Sequence, residues 1–224
     1  MAGNIARITP EQRVNRLEEG GTRNLQPIYD AIRKNPNEYF GIIRERLTLA
    51  NGEGRQKIIE ALGKIHHHYF IPLIAEHAHK SKAPMMKSKA IWALGLHKHE
   101  NALNHLEKLA VGGDMISRTT ARLALMNMKD FANETIGKIL LKGDNEASYW
   151  AAKWLQKAKN TEKLLGRGLG HENSSVRFAS AMALLNKQKI SLILKSRARK
   201  IFETLREDFE LGEFSKRFIK KNEL

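Results

Sequence analysis

Residues 171–185 read HENSSVRFASAMALL, and four other stretches answer to it: RQKIIEALG (55–63), KSKAIWALG (87–95), RTTARLALM (118–126) and SYWAAKWLQ (148–156). Aligned on the leucine near the end of each, the markers Leu62, Leu94, Leu125, Leu155 and Leu184 recur at intervals of 32, 31, 30 and 29 residues. Seven residues before the marker stand Arg55, Lys87, Arg118, Ser148 and Arg177; immediately before it stand Ala61, Ala93, Ala124, Trp154 and Ala183. A fixed period of this length is the signature of a stacked repeat. Apolar or small residues at the marker, one before it and four before it follow helical spacing, so each stretch predicts a helix with one buried face. The alanines allow a neighbouring helix to come close.

Between these helices lies a second apolar-periodic run in each period: FIPLIAEHA (70–78), ALNHLEKLA (102–110), FANETIGKILL (131–141) and TEKLLGRGL (161–169). Each period therefore predicts a helix pair. No strand alternation or hairpin signal interrupts the pattern, and Pro10, Pro27, Pro36, Pro72 and Pro84 fall at or near predicted helix starts, where a missing N–H is harmless.

The order of an acid, Val-Arg, Ala and then Ala-Leu, best kept in HENSSVRFASAMALL with Glu172 in the acid's place, resembles the short HEAT-type repeat also found in bilin lyases. The resemblance covers residues 37–188, as five repeats. It implies an all-α fold, a right-handed α-solenoid of antiparallel helix pairs, with the Ala-Leu helices on the concave side and their partners on the convex side. Three departures stand out: Ser148 in place of Arg, Trp154 in place of a small residue, and Lys80 and Lys82 in a turn where an acid is usual.

Stacked repeats need capped ends, and residues 1–36 and 189–224 are expected to supply them. Thr9, Pro10 and Gln12 in TPEQ form a helix-start signature. Ile190, Ile193, Leu194, Ile201, Phe202, Leu205 and Phe209 predict one face of a terminal helix, with a short helix over 214–221 after Gly212.

The chain of 224 residues is 42% hydrophobic and carries 39 Lys plus Arg against 24 Asp plus Glu, a formal charge of +15. A field of that sign attracts nucleic acid or an acidic protein surface. The absence of cysteine removes disulfides, thiolate ligands and sulfur nucleophiles, and suits a reducing compartment. With no apolar leader and no run near the ~20 residues of a membrane span, a cytoplasmic protein with no membrane partner is expected.

In a stacked array equivalent turns form columns. The turns between repeats carry His66, His67 and His68, then His97, Lys98 and His99, then Lys129, Lys157, Lys159, Lys187 and Lys189. The turns within repeats carry Glu53, Asp114, Asp144, Glu146 and Glu172. One edge is thus expected to be basic, a ridge for phosphates or acids, and the other mostly acidic. Trp92 and Trp150 lie on the Ala-Leu helices beside the buried stripe and are candidate contact aromatics, whereas Trp154 sits at a core position.

Eight of the nine histidines fall between His66 and His105, yet none has the i, i+4 spacing of a helical metal site. Neutral turn histidines that gain charge below about pH 6.5 are the preferred reading, and no metal or other cofactor is expected. GRGLG (166–170) has neither a preceding strand nor a following Lys-Ser/Thr, so it reads as a glycine-capped helix end. KSRARK (195–200) reads as a solvated basic helix face.

No catalytic constellation is visible. HEAT-like alkylpurine DNA glycosylases are similar in length and charge, but their Trp-Trp-Asp type signature does not appear here, and bilin-lyase activity is implied only at the level of the repeat. The leading expectation is a non-enzymatic adaptor or scaffold that binds an acidic protein partner through the basic edge and concave face. The alternative is direct binding of DNA or RNA by the same surface.

Overall fold

The computed structural model describes residues 8–20, 24–142 and 145–206, and within them the regular structure is entirely helical. The chain forms two compact units, 1–128 and 129–224. In the first, the helices are α1 (Pro10–Glu19), α2 (Gln26–Lys34), α3 (Pro36–Leu49), α4 (Gly52–Ile65), α5 (Ile71–Lys80), α6 (Pro84–Leu96), α7 (Glu100–Gly112) and α8 (Met115–Asn127). In the second they are α9 (Asn133–Leu140), α10 (Asn145–Lys157), α11 (Glu162–Gly168), α12 (Ser174–Leu185) and α13 (Leu192–Arg206). The five repeat stretches are α4, α6, α8, α10 and α12, and the second runs are α5, α7, α9 and α11.

Helix starts follow their local chemistry. Thr9 caps α1 in a reciprocal box, its hydroxyl accepting from the Gln12 amide while the Gln12 side chain accepts from the Thr9 amide. All five prolines lie in a first helical turn, of α1, α2, α3, α5 and α6. Asn51 and Asp114 cap α4 and α8. Asp144 and the predicted helix 214–221 lie outside the described residues.

In the first unit α4, α6 and α8 pack in succession, α5 and α7 pack on α6 and α8, and α1 covers α3 and α4 with Val14 and Leu17. Every marker leucine is fully buried, as are Ile58, Ala90 and Ala121 four residues earlier. The close approach has a specific cause. A Cβ on Gly63 would lie 3.0 Å from both Cα and Cβ of Ala93, and one on Gly95 would lie 2.9 Å from the Ala124 Cβ. The glycine after one marker thus receives the alanine before the next.

In the second unit α10 packs on α9, α11 and α12, and α12 packs on α11 and α13. Phe178 stacks on Phe202 with centroids 5.6 Å apart. The buried seam of α13 is Ala198, Phe202 and Leu205. Ile193, expected on that seam, is 82% exposed: the seam descends from Leu194 in steps of three and four residues, which turns Ile193 outward. Phe209 lies outside the described residues.

The position seven before the marker closes the helix pair in four of the five repeats. Arg55 donates to the carbonyls of Leu47 (2.7 Å) and Ala50 (2.9 Å), Arg118 to Gly113 (3.2 Å) and Arg177 to His171 (2.8 Å) and Glu172. Each joins its helix to the carbonyls ahead of it, groups that lack helical partners. Ser148 has the same function by a shorter reach, its buried hydroxyl donating to Leu140 at 2.8 Å. Lys87 instead pairs with Asp114 of the following repeat at 2.6 Å.

Candidate binding surfaces

His66, His67, His68, His97 and His99 form a packed group around two turns of the first unit. His66 ends α4 in the left-handed region (φ 54°), and its Nδ1 lies 3.0 Å from the Leu96 carbonyl. His97 follows α6 and answers with Nε2 3.2 Å from the Leu62 carbonyl. The two rings are 6.2 Å apart. His67 and His99 each accept a backbone N–H two residues on, from Tyr69 and Asn101, and so cap the 3-10 turn His68–Phe70 and helix α7. His68 bridges them, stacked on His67 at 4.8 Å and on His99 at 5.1 Å. These residues sew neighbouring helix ends together.

One expectation is corrected for His97. It is not an outward cation but is 3% exposed, and burial pushes its imidazole down to about 4, against the partial support of its bond to Leu62. His67 is also held below the usual range, mainly by burial and then by His68. Lys98 is exposed.

In the second unit Lys157, Lys159, Lys187 and Lys189 line one groove of about 590 Å³, with Glu162 the carboxylate among its walls. Lys157, Lys159 and Lys189 are exposed, as is Lys129. Lys187 is the second correction, because its side chain is 8% exposed. Its ammonium sits on the carbonyls of Gln156 (3.1 Å) and Ala158 (2.6 Å) and on the Thr161 hydroxyl (3.1 Å), with Glu162 at 3.7 Å. A cation at these orphan carbonyls neutralises the negative end of α10. The signal was in the register. Three residues after the marker stand Ile65, His97, Met128, Ala158 and Lys187, a column whose apolar members mark it as facing inward.

Trp92 is 39% exposed, Trp150 is half-buried, and the buried Trp154 Nε1 has no hydrogen-bond partner among the described residues. Trp92 belongs to a larger feature that the sequence reading missed. Met85, Trp92 and Leu96 are exposed along α6, and Ile116 and Leu123 along α8. Met85 and Ile116 are both nine residues before a marker, and Trp92 and Leu123 both two before, so the register sets them side by side on adjacent helices. The alignment could have shown this, since Glu60 and Lys153 occupy the position of Trp92 in α4 and α10.

Of the remaining motifs, 166–170 spans the end of α11, where the Gly170 amide closes on Arg167. KSRARK places Lys195, Arg197, Arg199 and Lys200 in solvent and Ala198 in the core. Among the described residues no three His, Asp or Glu side chains converge as a metal site, and no helix is long and apolar enough to cross a membrane.

Residues 42–126 match the HEAT repeat family model. No curated protein sequence is a significant match. Among solved structures, the chain is similar to human deoxyhypusine hydroxylase in complex with glycerol, at 14% identity over 87% of this chain and 97% of that one, with a TM-score of 0.33. It is also similar to the CpcE–CpcF complex of phycocyanin lyase from a Nostoc species, at 15% identity over 92% and 97%, with a TM-score of 0.34. Likenesses of that size transfer neither ligand nor activity. The helix pairs and the family match agree that residues 42–126, α3 to α8, are HEAT repeats, and helix pairs on the same thirty-residue register continue to α12.

Proposed function

We propose that the chain is a non-catalytic scaffold that holds an acidic, amphipathic segment of a partner protein against the outward face of α6 and α8. The observation that carries this reading is the exposed apolar strip of Met85, Trp92, Leu96, Ile116 and Leu123. Contiguous apolar surface on a chain of charge +15 favours a partner that can be dry at its centre and anionic at its edge. The neighbouring cations Lys64 and Lys98 are exposed and complement such an edge. A sugar-phosphate backbone would use the cations and leave the strip wet.

The test is fluorescence anisotropy with a labelled peptide that carries leucines at helical spacing and glutamates between them. The double variant Trp92→Ala/Leu123→Ala should weaken binding by about tenfold or more, the loss expected for two anchor side chains, while circular dichroism shows the chain still folded, because the fully buried marker leucines are untouched. If the variant binds the peptide like wild type while a random DNA duplex displaces it, the scaffold reading gives way to nucleic-acid binding.

A further inference from the structure

A second surface lies in the first unit between α5 and α7, where a groove of about 660 Å³ has an apolar floor of Ile71, Pro72 and Ala75. Its polar wall holds Arg44 from α3, Glu76, His79 and Lys80 from α5, and His105 and Lys108 from α7. The sole carboxylate among these residues, Glu76, is paired with Lys80 at 3.2 Å, so Arg44 and Lys108 have no carboxylate of their own in the groove.

His79 Nε2 and His105 Nδ1 are 3.1 Å apart. Two neutral imidazoles at that distance share one N–H, leaving one outer nitrogen as donor and the other as acceptor. A single added proton turns both outer nitrogens into donors. We propose that this groove binds a phosphomonoester dianion, held by Arg44 and Lys108 and by the His79–His105 pair, which takes up a proton on binding. The site is separate from the α6–α8 strip and does not depend on the scaffold reading.

The electrostatics support this coupling. Both imidazoles are held below their ordinary range, first by burial; Lys108 and then Lys87 add to this for His79, and His79 and then Lys108 for His105. The charged groups around the pair are Arg44 of α3, Glu76 and Lys80 of α5, Lys87 of α6 and Lys108 of α7. An anion seated among them offsets the repulsion from these cations and attracts the added proton, so anion and proton each favour the other. A dianion gains about twice the Coulomb attraction of the monoanionic diester of nucleic acid, which selects the monoester.

Titration calorimetry on the full chain tests the site with sulfate, a dianion at every pH used, and with phenyl phosphate and a phosphoserine peptide to separate a free ligand from a protein-borne one. Sulfate affinity should rise roughly three- to tenfold from pH 7.5 to 6.0 with net proton uptake. His105→Gln should flatten that rise, Arg44→Gln and Lys108→Gln should weaken binding at both pH values, and Lys195→Gln, an equal change of charge on a helix of the other unit, should have no effect. On the wild-type chain, sulfate should move the NMR ring signals of His79 and His105 ahead of the other histidines. Non-saturable binding, equal losses in Lys195→Gln and Lys108→Gln, ring signals that stay still, or a dinucleotide diester bound as tightly as phenyl phosphate would each overturn the proposal.

Discussion

An imidazole as buried as that of His97, with one nitrogen on the Leu62 carbonyl and His66 and His99 nearby, is confined to its neutral form. Its pKa is about 4 in the folded chain against about 6.5 when unfolded. The unfolded state therefore binds the proton first, and the stability His97 contributes is complete above pH 6.5 and lost as pH falls toward 4. At about 1.4 kcal/mol per pH unit, the loss reaches about 2 kcal/mol at pH 5. Urea midpoints at pH 7.5 and 5.0 should diverge accordingly, and His97→Met, which copies Met128 in the same column, should narrow the gap. His97 and Lys187 also show where the sequence was hard to read. Polar type and a turn address suggest solvent for both, but each is drawn inward by unpaired helix-end carbonyls, which no residue type advertises.

At the scale of the element, the period and the proline-marked helix starts were legible, whereas the caps Asn51, His99 and Asn173 were not singled out. Markers, capping box and prolines express local chemistry, and each lies where its spacing predicts. The equivalence of Ser148 to the arginines was not, because reach depends on how far the preceding carbonyls lie. The outward turn of Ile193 was hidden likewise, since several apolar residues of α13 compete for a narrow seam. The Gly95–Ala124 contact makes a quantitative prediction. Gly95→Leu places a branched side chain where even a Cβ is 2.9 Å from Ala124, and the overpacking should destabilise by about 1–3 kcal/mol, visible as a lower thermal midpoint. Gly112→Leu, at a site with open space around its Cβ, serves as the control and should not lower it.

For the molecule as a whole, the residues expected to form a basic ridge are divided between the two units, His66, His67, His68, Lys98 and His99 in residues 1–128 and Lys129, Lys157, Lys159 and Lys189 in residues 129–224, with His97 and Lys187 drawn inward. The excess of positive charge was plain from composition, whereas the apolar strip needed exposure values that a sequence lacks. Salt separates their contributions. Raising NaCl from 50 to 500 mM should weaken acidic-peptide binding by about tenfold and then level off, because screening removes the charge attraction and leaves the dry contact. A ligand held by phosphate contacts alone would keep weakening linearly on a log–log plot.

The bonds made by Arg55 and Arg118 close within their own helix pairs, on residues 47–50 and on Gly113. Excision of residues 63–94 would join Leu62 directly to Gly95, restoring the Ala-Leu-Gly junction while leaving both closures and the Gly95–Ala124 seat intact. Glu60 and Asp114 would lose Lys89 and Lys87, and the deleted pair would take its side chains with it. The architecture thus offers recombination a natural unit of inheritance, one turn of the register, so that lineages can change the length of the array without redesigning its joints.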